Sequence, residues 1–221
     1  MSVSVTAVDQ PPPASLSAKA YYLIRDRIVT LELEPGSLLN EKELAQELGL
    51  GRTPVREALK RLELENLVEV YPRRGIFVSG VDITDLGSIS ELRCELEGCA
   101  ARLAAQRATT AEKKLCRELI AELDRMPGRM GTDELIDLDQ RIHRHVYRCA
   151  HNSFLRAVLE EHFLHTLRLW FVVLERVERL DAAVREHREL LQAIVRGDPA
   201  SAERVIRQHI TGFEQAIRKV L

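Results

Sequence analysis

The sequence predicts a mainly α-helical protein built from two parts. Apolar residues recur at helical spacing through most of the 221 residues. Leu, Ala, Arg and Glu are abundant while aromatic residues make up only 5% of the chain, and this composition favours helix. One short region near residue 70 instead has two β-favouring runs around a Pro-Arg-Arg-Gly turn. The two parts are predicted over 15–80 and 83–221, after a disordered lead-in over 1–14.

Three helices and a hairpin are predicted in the first part. The first helix spans about 17–31 and ends before a Glu-Pro-Gly break. Asn40, with Glu43 three residues later, predicts the start of the second helix. Thr53 and Pro54 predict the start of the third, as its N-cap hydroxyl and its first helical residue. The inward stripe of that helix and the two strands after it are Val55, Ala58, Leu59 and Leu62, then 67–71 and 76–79. This order is that of a winged helix-turn-helix.

The second part shows helical periodicity and no alternation typical of strands. Its first helix is predicted to run to about Arg107, its second to break at Pro127 and Gly128, and its fourth to extend from Phe154 to Val177. The stripe expected to face inward on the first helix is Ile89, Leu92, Leu96, Cys99 and Leu103, and on the third helix it is Leu135, Leu138, Ile142 and Val146. With two further helices near the C-terminus, the pattern predicts an all-α bundle of about six helices.

Charge, hydropathy and cysteine spacing exclude several classes of protein. No apolar run approaches the roughly 18 residues that a membrane span requires, and the N-terminus has no secretory signal pattern. The four cysteines form neither a CxxC pair nor a disulfide framework, which predicts reduced thiols in a cytoplasmic protein. The net charge of −2 does not by itself indicate nucleic-acid binding, so any DNA-binding face has to be a local basic one.

Such a basic face is predicted on the second helix of the helix-turn-helix and on the wing. The N-terminal part of that helix enters the major groove, where arginine matches the acceptors of guanine. The residues expected to contact DNA are Lys42, Arg52, Thr53, Arg56, Arg74 and Gly75. The alternative is that the basic residues form an ordinary solvated helix face, with Arg56 paired to Glu57 or Glu63. The agreement of helix spacing, helix start and basic hairpin favours DNA binding.

Three histidines and one aspartate are predicted to point inward from three helices of the second part. Asp139 and His143 are four residues apart and share one side of a helix, while His187 and His209 lie within apolar stripes of later helices. Burying such groups without partners costs on the order of a few kcal/mol each. A divalent metal would provide the partner, but spacing alone leaves satisfied core histidines as the alternative.

The N-terminal motifs resemble the DNA-binding domain of the GntR family of regulators. The similarity rests on the segments Leu-Asn-Glu-Lys-Glu-Leu-Ala, Gly-Arg-Thr-Pro-Val-Arg-Glu-Ala-Leu-Lys-Arg-Leu and Arg-Arg-Gly-Ile-Phe-Val between residues 37 and 78. The resemblance implies that Lys42, Arg52, Thr53, Arg56 and Gly75 contact operator DNA. Gly51 and Pro54 stand where some members have polar DNA-contacting residues, so fewer phosphate contacts are expected there.

The second part resembles the FCD effector-binding domain of the FadR subfamily, in its shorter six-helix form. The markers are the Arg93 to Glu97 and Asp139 to His143 spacings, Ala-His-Asn at 150–152, Glu-His at 186–187 and the 197–209 segment. The resemblance implies a metal held by Asp139, His143, His187 and His209, with zinc as first candidate and nickel, manganese or iron as alternatives. Arg93 is a candidate to bind an effector carboxylate, its alternative being a helix-surface pair with Glu97, and His162 is a candidate to line the pocket.

The resulting hypothesis is a homodimeric, ligand-responsive transcription regulator, expected to be a repressor and not an enzyme. It would bind an inverted-repeat operator in double-stranded DNA and respond to a small carboxylate at the metal-containing pocket. Two alternatives stay open, a metal-dependent hydrolase and a regulator whose metal site is purely structural.

Overall fold

A computed structural model describes residues 13–82, 84–126, 131–173 and 180–219. The chain divides into two compact units, one made of Met1–Asp82 with Leu167–Val172 and the other of Ile83–Thr166 with Val173–Leu221. Most of the predicted lead-in, the break at Pro127 and Gly128, and the predicted helix end at Val177 lie outside the described residues.

The first unit contains three helices and a small antiparallel sheet within its described part. These elements are α1 (Leu16–Val29), β1 (Leu38–Leu39), α2 (Glu41–Glu47), α3 (Arg52–Leu64), β2 (Val68–Tyr71) and β3 (Gly75–Val78). Helix α1 packs against α3, and their shared core is Ala20, Ile24, Ile28, Val55, Leu59 and Leu62. The strands are ordered β1-β3-β2, so the predicted hairpin is confirmed. Strand β1 was not predicted, because two residues carry no periodicity.

Helix α2 begins where it was predicted and α3 does not. The Asn40 side chain accepts hydrogen bonds from the backbone N–H groups of Lys42 and Glu43, which caps α2. The N-cap of α3 is Gly51, with no side-chain cap hydrogen bond, so the prediction of Thr53 as N-cap is wrong. The helix starts two residues earlier than predicted. Proline permits this, because it is tolerated throughout the first turn, where its missing N–H would have no helical acceptor. Pro54 therefore lies within the first turn rather than at its first position.

The second unit is helical in its described part and contains the predicted six-helix order, with α7 shared between the two units. The helices are α4 (Asp85–Arg107), α5 (Thr110–Arg125), α6 (Thr132–Cys149), α7 (Ser153–Val173), α8 (Leu180–Arg196) and α9 (Pro199–Arg218). Helix α4 packs against α6, α8 and α9. The predicted inward stripe of α6 is confirmed, since Leu135, Leu138, Ile142 and Val146 are all buried.

The predicted inward stripe of α4 is confirmed only in part, since Leu96 and Leu103 pack against a buried cluster while the stripe as a whole is not fully buried. Leu92 is 38% exposed, and the other members of that stripe, Ile89, Leu96, Cys99 and Leu103, are only partly buried. Apart from Leu86, the buried residues of α4 are small or charged, namely Ser90, Arg93, Glu97, Gly98, Ala100, Ala101, Ala104 and Ala105. Small residues allow close helix approach: a Cβ added at Gly98 would lie 2.8 Å from Arg207 Nε on α9. Within the described residues, no helix is both long and apolar enough to cross a membrane.

Candidate DNA-binding surface and metal centre

The N-terminus of α3 presents the predicted basic residues to solvent. Arg52, Thr53 and Arg56 are all exposed, while Val55, Ala58, Leu59 and Leu62 on the opposite side are buried. Because Gly51 offers no capping side chain, the first N–H groups of α3 are left open to an outside acceptor. A helix N-terminus of this kind favours a phosphate.

Arg56 is paired, but with a residue that the sequence did not suggest. Its Nη2 lies 2.8 Å from Glu41 Oε2 at the start of α2, so the predicted partners Glu57 and Glu63 are wrong. The hydrogen bond from Arg56 lowers the pKa of Glu41. Glu41 lies 15 residues before Arg56 and meets it only because α2 and α3 pack together, which no local spacing indicates. Lys42, beside Glu41, is exposed.

The backbone of the β2–β3 hairpin, the predicted wing, requires glycine at position 75. Gly75 has φ +119, and a Cβ added there would lie 2.7 Å from Leu38 Cδ1. Any other residue would therefore be strained and would press on strand β1. The Arg74 guanidinium lies 5.7 Å from the centre of the Tyr71 ring, and both side chains are exposed. At the tip of the hairpin, the exposed Arg74 therefore lies next to Gly75, whose backbone carries no side chain.

The three histidines and the aspartate predicted to bind metal come together in the second unit. Asp139, His143, His187 and His209 are buried, and one ligand atom from each lies within 4.8 Å of the others. Helix α6 contributes the aspartate and one histidine one turn apart, while α8 and α9 contribute one histidine each. This group could hold a metal ion.

Each of the three imidazoles is held by a hydrogen bond at Nδ1, so Nε2 is the nitrogen that could bind a metal ion. His143 Nδ1 lies 2.7 Å from Glu97 Oε2, His187 Nδ1 lies 3.1 Å from the Val184 carbonyl, and His209 Nδ1 lies 3.0 Å from Glu186 Oε2. Since these oxygens accept, each neutral imidazole carries its proton on Nδ1 and a lone pair on Nε2. The Nε2 atoms of His143 and His187 are 3.0 Å apart. Two lone pairs facing each other at that distance repel, and either a proton shared between the two nitrogens or a metal ion bound to both removes that repulsion.

The carboxylate of Asp139 also has a buried polar atom without a hydrogen-bond partner in the described part of the structure. Its Oδ1 is buried and has no hydrogen-bond partner among the described residues. Burial raises the pKa of Asp139, and burial also lowers the pKa of His209 to about 3 and that of His187 well below its usual range. Neutral imidazole is the form that binds a metal. An unpaired buried oxygen and three converging nitrogens therefore match the donor set of a divalent ion.

A buried ion pair supports this cluster from α4. Arg93 Nε donates to Glu97 Oε1 at 2.6 Å, and the other carboxylate oxygen of Glu97 holds His143. Burial raises the pKa of Glu97, but Arg93 and His143 outweigh it and the pKa is lowered overall. The expected pairing of Arg93 with Glu97 is present but buried, not on the helix surface. Glu97 was not predicted as a site residue, although its four-residue spacing from Arg93 places both on one side of α4.

On α7, Phe163 packs against the cluster, and its neighbour is the predicted pocket residue His162. The Phe163 ring lies 5.1 Å from the His143 ring, whereas His162 is partly exposed. A cavity of about 630 Å³ lies on the other side of the cluster, between α8 and α9. It is lined by His209 together with Arg185, Glu186, Arg188, Glu189, Gln192, Val205 and Gln208. One metal-ligand candidate is thus also a wall of an open pocket.

The fold defines a class, a winged helix-turn-helix protein with an attached all-helical domain. Residues 16–78 match the family model described as bacterial regulatory proteins, gntR family, and residues 88–212 match the FCD domain. The chain belongs to the GntR family of bacterial transcription regulators, and to those members that carry an FCD domain.

Relatives of known sequence and structure agree with this assignment. An uncharacterized HTH-type transcriptional regulator from an unstable DNA locus of Streptomyces ambofaciens is 31% identical over 203 residues, which is 90% of this chain and 84% of that protein. The HTH-type transcriptional repressor RspR of Escherichia coli is 24% identical, over 95% of this chain and 92% of the repressor. The structure of E. coli McbR/YncC has the same fold, with a TM-score of 0.81 at 23% identity over 93% and 98% of the two chains.

These findings make the chain a transcription regulator and not an enzyme. GntR regulators bind operator DNA and generally act as dimers. The relatives therefore give no support to the metal-dependent hydrolase that the Asp and His cluster left open.

Proposed function

We propose that this regulator is a homodimeric repressor whose affinity for its operator is set by a small carboxylate bound at a metal centre. Lys42, Arg52, Thr53, Arg56, Arg74 and Gly75 form the DNA-contacting surface in this proposal. Asp139, His143, His187 and His209 hold the ion, zinc being the first candidate and nickel, manganese or iron the alternatives. The regulator acts in the cytoplasm on an inverted-repeat operator, as twofold symmetry requires.

The observation that carries the sensing half of the proposal is the convergence of unpaired donors. The facing Nε2 atoms of His143 and His187, and the Oδ1 of Asp139 that accepts no hydrogen bond from the described residues, cost free energy unless a proton or a metal ion lies among them. A bound divalent ion would supply Lewis acidity toward an oxygen of an incoming ligand. The second-layer partners Glu97 and Glu186 orient the histidines, as carboxylates do around metal-binding imidazoles.

The effector is proposed to reach the ion from the cavity between α8 and α9. His209 lies at the boundary between cluster and cavity, and the wall carries Arg185 and Arg188 beside Glu186 and Glu189, so their charges balance. The positive charge that would attract a carboxylate is therefore that of the proposed metal ion. Arg93 forms an ion pair with Glu97. While that pair is intact, Arg93 can contribute to carboxylate binding only through its charge and not through a direct hydrogen bond. His162 on α7 is not among the residues that line this cavity, so its role in effector binding is a separate proposal.

The DNA-binding half is supported by the exposed basic end of α3. Arg56 reads a base by leaving Glu41 for the O6 and N7 acceptors of a guanine. Repression is proposed because RspR, similar over nearly the whole chain, is a repressor.

The DNA-binding surface is tested by exchanging Arg56 for alanine and measuring affinity for the intergenic DNA beside the gene, with excess competitor DNA. Loss of a bidentate base contact in both protomers lowers specific affinity by about 100-fold. Lys60→Ala is the matched control, because Lys60 is exposed one turn further along α3 and carries the same charge. An Arg56→Ala variant that melts normally and keeps wild-type affinity would refute the assignment.

A further inference from the structure

A second cluster of ligand atoms lies in the second unit, between α5 and α6. Cys116 comes from α5, and His145 and Cys149 come from α6. Their side chains are buried, the two cysteines completely so. His145 Nε2 lies 3.3 Å from Cys116 Sγ and 3.4 Å from Cys149 Sγ. The same nitrogen lies 3.1 Å from the backbone carbonyl oxygen of Glu112.

His145 Nε2 lies at hydrogen-bond distance from three atoms, and a single ring nitrogen cannot form a hydrogen bond with all three. If Nε2 of His145 carries a proton, it has one hydrogen for three neighbouring acceptors. If it carries a lone pair instead, the Glu112 carbonyl oxygen faces that lone pair and the two repel. Neither tautomer satisfies all three contacts, although each contact is at hydrogen-bond distance. A cation among these atoms would use lone pairs from all of them.

The spacing and the chemistry of the donors indicate which cation. A tetrahedral ion with ordinary metal–nitrogen and metal–sulfur bonds places nitrogen and sulfur ligands about 3.5 Å apart. The two nitrogen–sulfur distances at His145 are close to that value. Thiolate and imidazole together select thiophilic ions such as Zn²⁺, Cd²⁺ or Cu⁺. We propose that Cys116, His145 and Cys149 form a second metal site, specific for thiophilic ions and separate from the Asp and His centre.

The two metal sites are separate because of where they lie on α6. His145 follows His143 by two residues, which is about 200° of rotation around a helix, so the two imidazoles point to opposite sides. His143 faces His187 and His209 on α8 and α9, whereas His145 faces Cys116 on α5. No residue is shared between the two ligand sets, so either site can be removed without removing the other.

The test is a titration of the reduced, metal-free full-length protein with Cd²⁺. Wild type binds two Cd²⁺ per chain and develops the ultraviolet charge-transfer absorption of cadmium–thiolate bonds. The variant with Cys116→Ala and Cys149→Ala binds one Cd²⁺ and shows no such absorption. His187→Ala, which removes a ligand of the first site, also binds one Cd²⁺ but keeps the absorption. The absorption therefore distinguishes a failure of this site from a failure of the site on which the proposed function depends.

The other two cysteines provide the matched control. Cys94 and Cys99 on α4 are partly exposed, and the variant with both exchanged for alanine keeps two Cd²⁺ per chain and the full absorption. X-ray absorption of cadmium-loaded wild type needs no variant and is expected to show sulfur ligands. Cadmium surrounded by nitrogen and oxygen alone would overturn the proposal, as would a charge-transfer band that survives the Cys116→Ala and Cys149→Ala exchange.

Discussion

The proposed DNA-binding surface and the proposed metal centre differ in how their residues are held. Arg52, Thr53 and Arg56 are exposed and lie within five consecutive positions on one helix. The metal centre is buried and takes its residues from three helices spread between positions 139 and 209. Exchanging a residue on the surface should change affinity for DNA and leave the fold alone. Exchanging one in the centre should change metal binding and stability together.

The comparison is tested most strongly by exchanging Asp139 for asparagine. Without metal, the exchange removes a buried carboxylate whose Oδ1 accepts no hydrogen bond from the described residues and offers N–H donors to the facing imidazoles, so stability rises by about 1–3 kcal/mol. With metal, the loss of the carboxylate weakens zinc binding by roughly 100-fold or more. Melting curves with a chelator and with zinc, together with elemental analysis, measure both effects.

Asp137→Asn is the control for that exchange, because Asp137 lies on the same helix but is partly exposed and pairs with Arg141. Asp139→Asn would contradict the metal assignment if it bound zinc with wild-type stoichiometry and affinity.

A smaller effect is expected from the outer layer of the metal centre. Glu186 accepts a hydrogen bond from His209 Nδ1 and is half exposed, so Glu186→Ala should weaken zinc binding about tenfold with little change in stability. Isothermal titration with zinc measures the change. Glu189→Ala is the control on the same helix, since Glu189 pairs with Arg204 and contacts none of the three histidines in the described structure. Equal affinities in the two variants would show that Glu186 does not orient His209.

The smallest predicted effect is a gain of function on the surface. Glu41 holds Arg56 and adds a negative charge where DNA would approach, so Glu41→Gln should raise operator affinity by roughly two- to tenfold. The gain should shrink at high salt, because it is electrostatic. Glu47→Gln, on the same helix but paired with Arg27, serves as the control. Reduced affinity in Glu41→Gln would mean that Glu41 positions Arg56 for DNA instead of competing with it.

The two regions also differ in how far the sequence predicts them. Around the DNA-binding surface the determinants are local: the Asn40 cap, the α3 stripe and the Pro-Arg-Arg-Gly turn each act within a few residues. The errors there are small and have local causes, such as the N-cap at Gly51 instead of Thr53. The partner of Arg56 could not be predicted, because Glu41 reaches it only through tertiary packing.

In the helical domain the residue types were predictable but their surroundings were not. Periodicity placed Asp139, His143, His187 and His209 on inward faces, and the structure brings them together. On α4 the same reasoning selected the leucine stripe, whereas the buried face carries alanines and the Arg93–Glu97 pair. Close approach of α9 favours small residues over large apolar ones there, and a periodicity argument weighted toward leucine cannot detect that. Periodicity also could not predict that Cys116, His145 and Cys149 lie together, because they come from two helices and form no sequence motif.

The central claim, that metal-dependent ligand binding in one region controls DNA binding in the other, has one direct measurement. Operator affinity is measured for zinc-loaded wild type and for Asp139→Asn while small carboxylic acids are added, with zinc content checked after each addition. The account predicts that an acid weakens wild-type binding by roughly 5- to 150-fold, the usual range of coupling between two sites, and leaves Asp139→Asn unchanged. If zinc removal lowers the melting temperature while no acid alters operator affinity, the metal is structural and the sensing claim is wrong.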